Sequence, residues 1–154
     1  MPALFAQWVP TLLRTAGVTR GTRVLDVACG TGVVARGAAE LVGPSGRVSG
    51  VDLNPAMIAV ARGRAPDLDW RVADAGDLPY PDGAFDVVLC QSALFFFPDI
   101  GRAVREMARV LDEGGVVKLA GVVTPTSWPD IDDANRSVDG CLAPTSRLSV
   151  RPRR

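Results

Sequence analysis

VLDVACGTGVVAR, residues 24–36, changes its period halfway along. Val24, Leu25 and Val27 form a run too short and too rich in branched side chains for a helix, whereas Val34, Ala38, Leu41 and Val42 recur at helical spacing. Between the two patterns lie Asp26, the small residues Ala28 and Cys29, and the glycines Gly30 and Gly32. The stretch therefore reads as strand, tight turn and helix, the building unit of an open parallel sheet.

The same alternation continues downstream. GRVSGVDL (46–53) reads as a second strand, followed by a helix with Asn54 as N-cap, Pro55 at its first position and Gly63 near its end. LDWRVAD (68–74) and FDVVLC (85–90) are the third and fourth strands. DIGRAVREMARVL (99–111) is a helix with Ile100, Val104, Met107 and Leu111 on one face, and VVKLAGVV (116–123) is the fifth strand. Near-continuous apolar strands separated by helices imply a parallel sheet covered on both faces. The fold class is α/β: a Rossmann-like, doubly wound, mainly parallel sheet.

Upstream, Phe5, Trp8, Val9, Leu12, Leu13 and Ala16 make the stripe of an amphipathic helix ended by Gly17. Pro10 either kinks this helix or opens it at the first position. From residue 124 neither period persists, and four of the last eight residues are arginine. Residues 1–123 are thus expected to form one ligand-binding domain, and 124–154 an irregular or disordered tail.

Composition narrows the class. Lys+Arg and Asp+Glu both total 17 in 154 residues, so no net field draws the chain to nucleic acid. The most hydrophobic stretch is interrupted by Asp86, Gln91 and Ser92 before it could span a bilayer. Cys29, Cys90 and Cys141 contain no CxxC pair and there is no histidine, which fits reduced thiols in the cytoplasm and no metal site.

Which ligand the glycine turn takes is decided by its neighbours. Asp52 stands twenty residues after Gly32, at the end of the second strand, where a carboxylate can accept from both hydroxyls of a ribose. GTGVVA (30–35) satisfies the dinucleotide pattern G-x-G-x-x-G/A, which keeps an NAD-dependent reductase in view. Asp26 argues otherwise, because a diphosphate-binding turn has no use for a negative charge at its strand exit. A ligand with an ammonium group there does, and S-adenosylmethionine combines an α-amino group, a ribose diol and an adenine without phosphate.

These residues carry a family resemblance. VLDVACGTG resembles motif I of the class I S-adenosylmethionine-dependent methyltransferases, and the similarity runs on through VDLNPAMIAVAR, VADAGDLPYPDGAFDVVLCQSALFFFPD and EMARVLDEGGVV. It covers roughly residues 4 to 123 and is strongest with the bacterial small-molecule branch that includes the ubiquinone and menaquinone methyltransferases. The resemblance implies S-adenosylmethionine as cofactor and a small-molecule acceptor. It places Asp26 at the methionine amino end, Ala28, Cys29, Gly30 and Gly32 in the turn beneath it, and Asp52 at the ribose. Leu53 and Met57 then lie beside the adenine, Asp74 and Ala75 read its edge, and Gln91 lines the methyl-donor end.

Bland roles compete with several of these. Strand-end aspartates such as Asp52 and Asp74 often cap the next helix. Cys29 and Cys90 read as small buried hydrophobes, Tyr80 and Asp86 as structural, and at least one of Phe95, Phe96 and Phe97 as packing rather than pocket lining. No catalytic residue stands out. The family's closing helix and β-hairpin are not recognisable, which suggests a truncated or frame-shifted product. The open sheet edge is then expected to be covered by the tail or by a second copy of the chain. A non-catalytic cofactor-binding or interaction protein is therefore the alternative to an active methyltransferase.

Overall fold

The structure, a computed structural model, describes residues 6–120. Phe5, Cys141 and the expected tail lie outside the described residues.

Five strands, β1 (Arg23–Val27), β2 (Arg47–Asp52), β3 (Asp69–Val72), β4 (Phe85–Gln91) and β5 (Leu111–Ala120), form one sheet in the order β3-β2-β1-β4-β5. Every pairing is parallel. Among the described residues four α-helices connect or flank them, α1 (Val9–Ala16), α2 (Val33–Val42), α3 (Pro55–Arg64) and α4 (Ile100–Arg109), with a short 3-10 turn at Leu94–Phe96. From β1 the chain winds outward through β2 and β3, then returns to β1's other side as β4. This reversal opens a crevice at the carboxyl ends of β1 and β4, where open α/β sheets receive ligands.

Burial on both faces explains why the strands read as continuous apolar runs. Val24, Val48, Val87 and Leu89 pack with α1, α2 and α3 on one face. Leu25, Val27, Val51, Val88, Cys90 and Val117 pack with Ala103 and Met107 of α4 on the other. Because side chains alternate along a strand, Asp26 points to the same face as Val24, the face that α2 covers. That parity brings its carboxylate to the start of α2.

Helix ends follow local chemistry. Asn54 caps α3 by accepting from Ala56 N–H at 2.9 Å, with Pro55 in first place, and Asp99 caps α4 by accepting from Arg102 N–H at 2.8 Å. Gly17 closes α1 at φ +77°. α1 begins at Val9, so Pro10 sits second rather than first, still within the turn whose N–H groups lack helical partners.

Two boundaries differ from the sequence reading. α4 stops at Arg109, and Leu111 belongs to β5, paired with Phe85. The Asp112–Gly115 segment looks like a loop in sequence, yet β5 passes through it with a register irregularity opposite Phe85–Val87. At this amino end of the sheet Asp86 ties strands together. It accepts from Arg23 N–H at 2.8 Å and from the Arg23 guanidinium at 2.6 Å, and the same guanidinium reaches Asp112.

Candidate functional site

A cleft of about 720 Å³ opens over the carboxyl ends of β1, β2 and β4, within the usual range for small-molecule sites. Asp26, Ala28, Cys29, Gly30, Asp52, Leu53, Met57, Asp74, Ala75 and Gln91 all line it. Gly32 does not.

The turn after β1 is held from two sides. Asp52, at the end of β2, accepts from Gly30 N–H at 2.8 Å through one oxygen and from Asn54 N–H at 2.8 Å through the other. A carboxylate offers about four lone-pair sites, so two remain for a ligand. Asp52 does not cap α3, a task Asn54 performs; it braces the turn and the residue before the helix while lining the cleft. Asp74 accepts from Gly76 N–H at 2.8 Å, fixing the bend after β3 that brings Ala75 to the wall.

Asp26 is 1% exposed, and one of its oxygens accepts from Ala35 N–H in the first turn of α2 at 3.0 Å. No buried side-chain oxygen is left unpartnered among the described residues, so its second oxygen faces the cleft. Burial pushes this carboxyl up to about 7, with the nearby Asp52 charge adding to the shift and the Ala35 N–H opposing it. A cation docking beside Asp26 would restore its ionised form. Burial likewise raises the Cys29 thiol and pushes Cys90 up to about 12, so both thiols stay protonated and neither is set up as a nucleophile.

Two non-glycine residues of the cleft wall adopt left-handed backbone: Ala28 at φ +55° and Ser92 at φ +56°. Such conformations are disfavoured by a Cβ and gather where geometry is set by function. Gly32 makes a packing demand that its motif does not show. A Cβ there would stand 2.4 Å from the Trp70 ring, and one at Gly50 would meet the same ring at 2.4 Å. Gly32 is thus needed to make room for the indole that props the turn from below.

The far end of the cleft is lined by Gln91, Ser92, Ala93, Phe96, Phe97 and Pro98. Phe96 is 82% exposed at the rim, Phe97 also packs on the core beneath, and Phe95 does not reach the cleft. Sequence reasoning missed Arg36 and Arg64, which also line the cleft. A basic residue on a helix normally reads as a solvated face, so periodicity held no signal for either.

Residues 25–119 match the family described as methyltransferase domain. The chain belongs to the class I S-adenosylmethionine-dependent methyltransferases. This methyltransferase chain is 42% identical over 125 residues to the ubiquinone/menaquinone biosynthesis C-methyltransferase of Laribacter hongkongensis, covering 77% of the chain and 51% of that protein. It is 35% identical over 122 residues to a demethylmenaquinone methyltransferase of Staphylococcus aureus, with the same shares covered. The chain thus spans about half the length of the curated relatives it matches.

Among solved structures, the YcgJ protein of Bacillus subtilis superposes with a TM-score of 0.71 at 31% identity, over 79% of this chain and 53% of that one. A S-adenosylmethionine-dependent methyltransferase of Mesorhizobium loti gives 0.66 at 33% identity, over 75% of this chain and 53% of the other. The donor set of the methyltransferase cleft suits such a cofactor. It combines a buried acid open to a cation, a strand-end carboxylate with spare lone pairs, and a largely apolar floor.

Proposed function

We propose that this domain binds S-adenosylmethionine in the cleft and directs its methyl group to a small-molecule acceptor entering past Phe96 and Phe97. What carries the reading is the convergence of Asp26, Asp52 and Asp74, from the ends of three successive strand units, on one cleft. Acids so placed complement an ammonium, a ribose diol and an adenine edge in that order. They disfavour a diphosphate laid along the same turn.

The cofactor supplies a methyl group already activated by a sulfonium, so the protein's work is placement and exclusion of water. Asp52 accepts from the ribose hydroxyls while holding Gly30 N–H. Asp26 faces the ammonium, and Asp74 with the Ala75 backbone meets the adenine. Gln91 and Ser92 shape the donor end; Phe96, Phe97 and Pro98 present an apolar wall to the acceptor. No covalent protein intermediate is needed, and the neutral, buried Cys29 and Cys90 are consistent with that. An acidic acceptor would still gain from a proton acceptor, which in a chain without histidine is an Asp or Glu, a bound water or the acceptor itself. The relatives that match over half their length act on quinone precursors by name, which supports a small apolar acceptor rather than a nucleic acid or a protein.

Calorimetry of the purified chain with S-adenosylmethionine, S-adenosylhomocysteine and NAD in parallel tests the reading. Binding of the first two and not of NAD is expected, and tighter binding of NAD would overturn it. Cofactor binding without turnover across a panel of small acceptors would instead favour a non-catalytic binding protein.

A further inference from the structure

Arg36 occupies the fourth position of α2, directly after the Ala35 whose N–H meets Asp26. Its side chain does not extend into solvent. One guanidinium nitrogen donates to the Thr31 carbonyl at 2.7 Å, which folds the group back across the glycine turn and into the cleft wall. A guanidinium carries five N–H donors in a planar fork, and among the described residues only this nitrogen is engaged. The free part of the fork matches a two-oxygen acceptor such as a carboxylate.

The same turn carries the opposite charge. Asp26 shows one oxygen to the cleft, and among the described residues it forms no ion pair with Arg36. An acid and a guanidinium held apart on one turn, each with unused hydrogen-bonding capacity, complement a molecule that brings both charges itself. An α-amino acid does so.

We propose that Arg36 binds the α-carboxylate of the cofactor's amino-acid moiety, so that the turn selects a nucleoside bearing a complete zwitterion over one lacking the carboxylate. This rests on the function proposed above. The competing role is a structural one, in which Arg36 merely clamps Thr31 and its loss perturbs every ligand alike.

The two roles separate by calorimetry of the full chain against S-adenosylhomocysteine and its decarboxylated analogue. The wild type is expected to prefer S-adenosylhomocysteine by about tenfold or more, the range of a charge-assisted hydrogen bond. Arg36→Met should remove that preference by weakening S-adenosylhomocysteine alone, and Arg36→Lys should restore part of it as a single point charge. Equal weakening of both ligands overturns the proposal. So does a preference that survives Arg36→Met and disappears in Arg64→Met, which would assign the carboxylate to the other cleft arginine. Should Arg36→Met not fold, the wild type still decides, since equal affinity for the two ligands also overturns it. A folded wild type that binds neither ligand sinks the function reading itself, and this assignment with it.

Discussion

Ala28 and Gly32, four residues apart, make opposite demands on the backbone of one turn. Ala28 holds φ +55° with a Cβ that this conformation disfavours, and no helix or strand requires its side chain. Ala28→Gly should therefore raise stability by about 1 kcal/mol, the left-handed penalty less glycine's added freedom in the open chain. Urea midpoints check this, and an unchanged or lowered midpoint would show that the methyl packs better than it strains. Gly32→Ala runs the other way. Its Cβ would overlap the Trp70 ring while keeping φ +78°, so a loss of about 2–4 kcal/mol is expected from overpacking and backbone strain together. Asp52→Ala removes the acceptor of both Gly30 and Asn54 N–H groups. Weaker cofactor binding by about 1–3 kcal/mol is expected, and unchanged affinity in a folded variant would take Asp52 out of the site. Asp52→Asn, which keeps one acceptor oxygen, should retain more of the fold than of the affinity.

The segment between β3 and β4 lacks secondary structure yet must hold Asp74 and Ala75 at the cleft wall. α4 holds it down. Arg109 donates to the carbonyls of Leu78 at 3.0 Å and Tyr80 at 2.9 Å, and is itself gripped by Glu106 at 2.7 and 2.8 Å. Glu106 also accepts from Leu78 N–H at 2.8 Å, and the Arg109 guanidinium keeps its carboxyl below the usual range. Under this clasp Tyr80 packs edge-on against Phe85, with Arg71 over its outer face. Arg109→Met should release the segment at a cost of about 1.5–3 kcal/mol. In hydrogen exchange, the amides of Leu78 and Tyr80 would lose protection while those of β1 and β2 keep theirs; uniform loss would mean that the clasp supports the whole domain rather than one loop. The sequence hid this device because Glu106 and Arg109 lie three apart on one helix, a spacing that reads as an ordinary surface pair, whereas both are partly buried against the segment. It showed Asn54 as a cap because capping is local, whereas the clasp closes across 28 to 31 residues.

At the scale of the molecule, the sheet order follows from the alternation of apolar runs with helical spacing, since a right-handed crossover chain with these lengths has few ways to wind. That is why the fold was legible and why the strand-end acids could be placed at one edge. Gly32 shows where legibility stopped: its motif suggested a ligand, but its neighbour is Trp70, 38 residues away and invisible to any local pattern. Asp26 was read as a charge, and the missing fact was how completely the fold would bury it. In the open chain an aspartate holds its proton only to about pH 4. In the fold Asp26 holds it to about 7. Between those values the folded chain binds the extra proton, so this residue's contribution to stability falls as pH rises from 4 to 7 and is flat above. Asp69, Asp86 and Glu106 are shifted downward and act in the opposite sense, below about pH 4, outside that window. Asp26→Asn keeps an oxygen for Ala35 N–H but carries no charge. Relative to the wild type it should gain stability between pH 5 and 7 and level off above, read as the difference in urea midpoints; a difference that does not change with pH would mean Asp26 is not the group titrating. Binding reverses the benefit. A cofactor ammonium favours the ionised acid, so wild-type affinity for S-adenosylhomocysteine should rise from pH 6 to 8, by at most tenfold per unit below the pKa. In Asp26→Asn that rise should vanish and the affinity at pH 8 should be lower, so the residue that makes the empty domain less stable at neutral pH is the one that makes it bind.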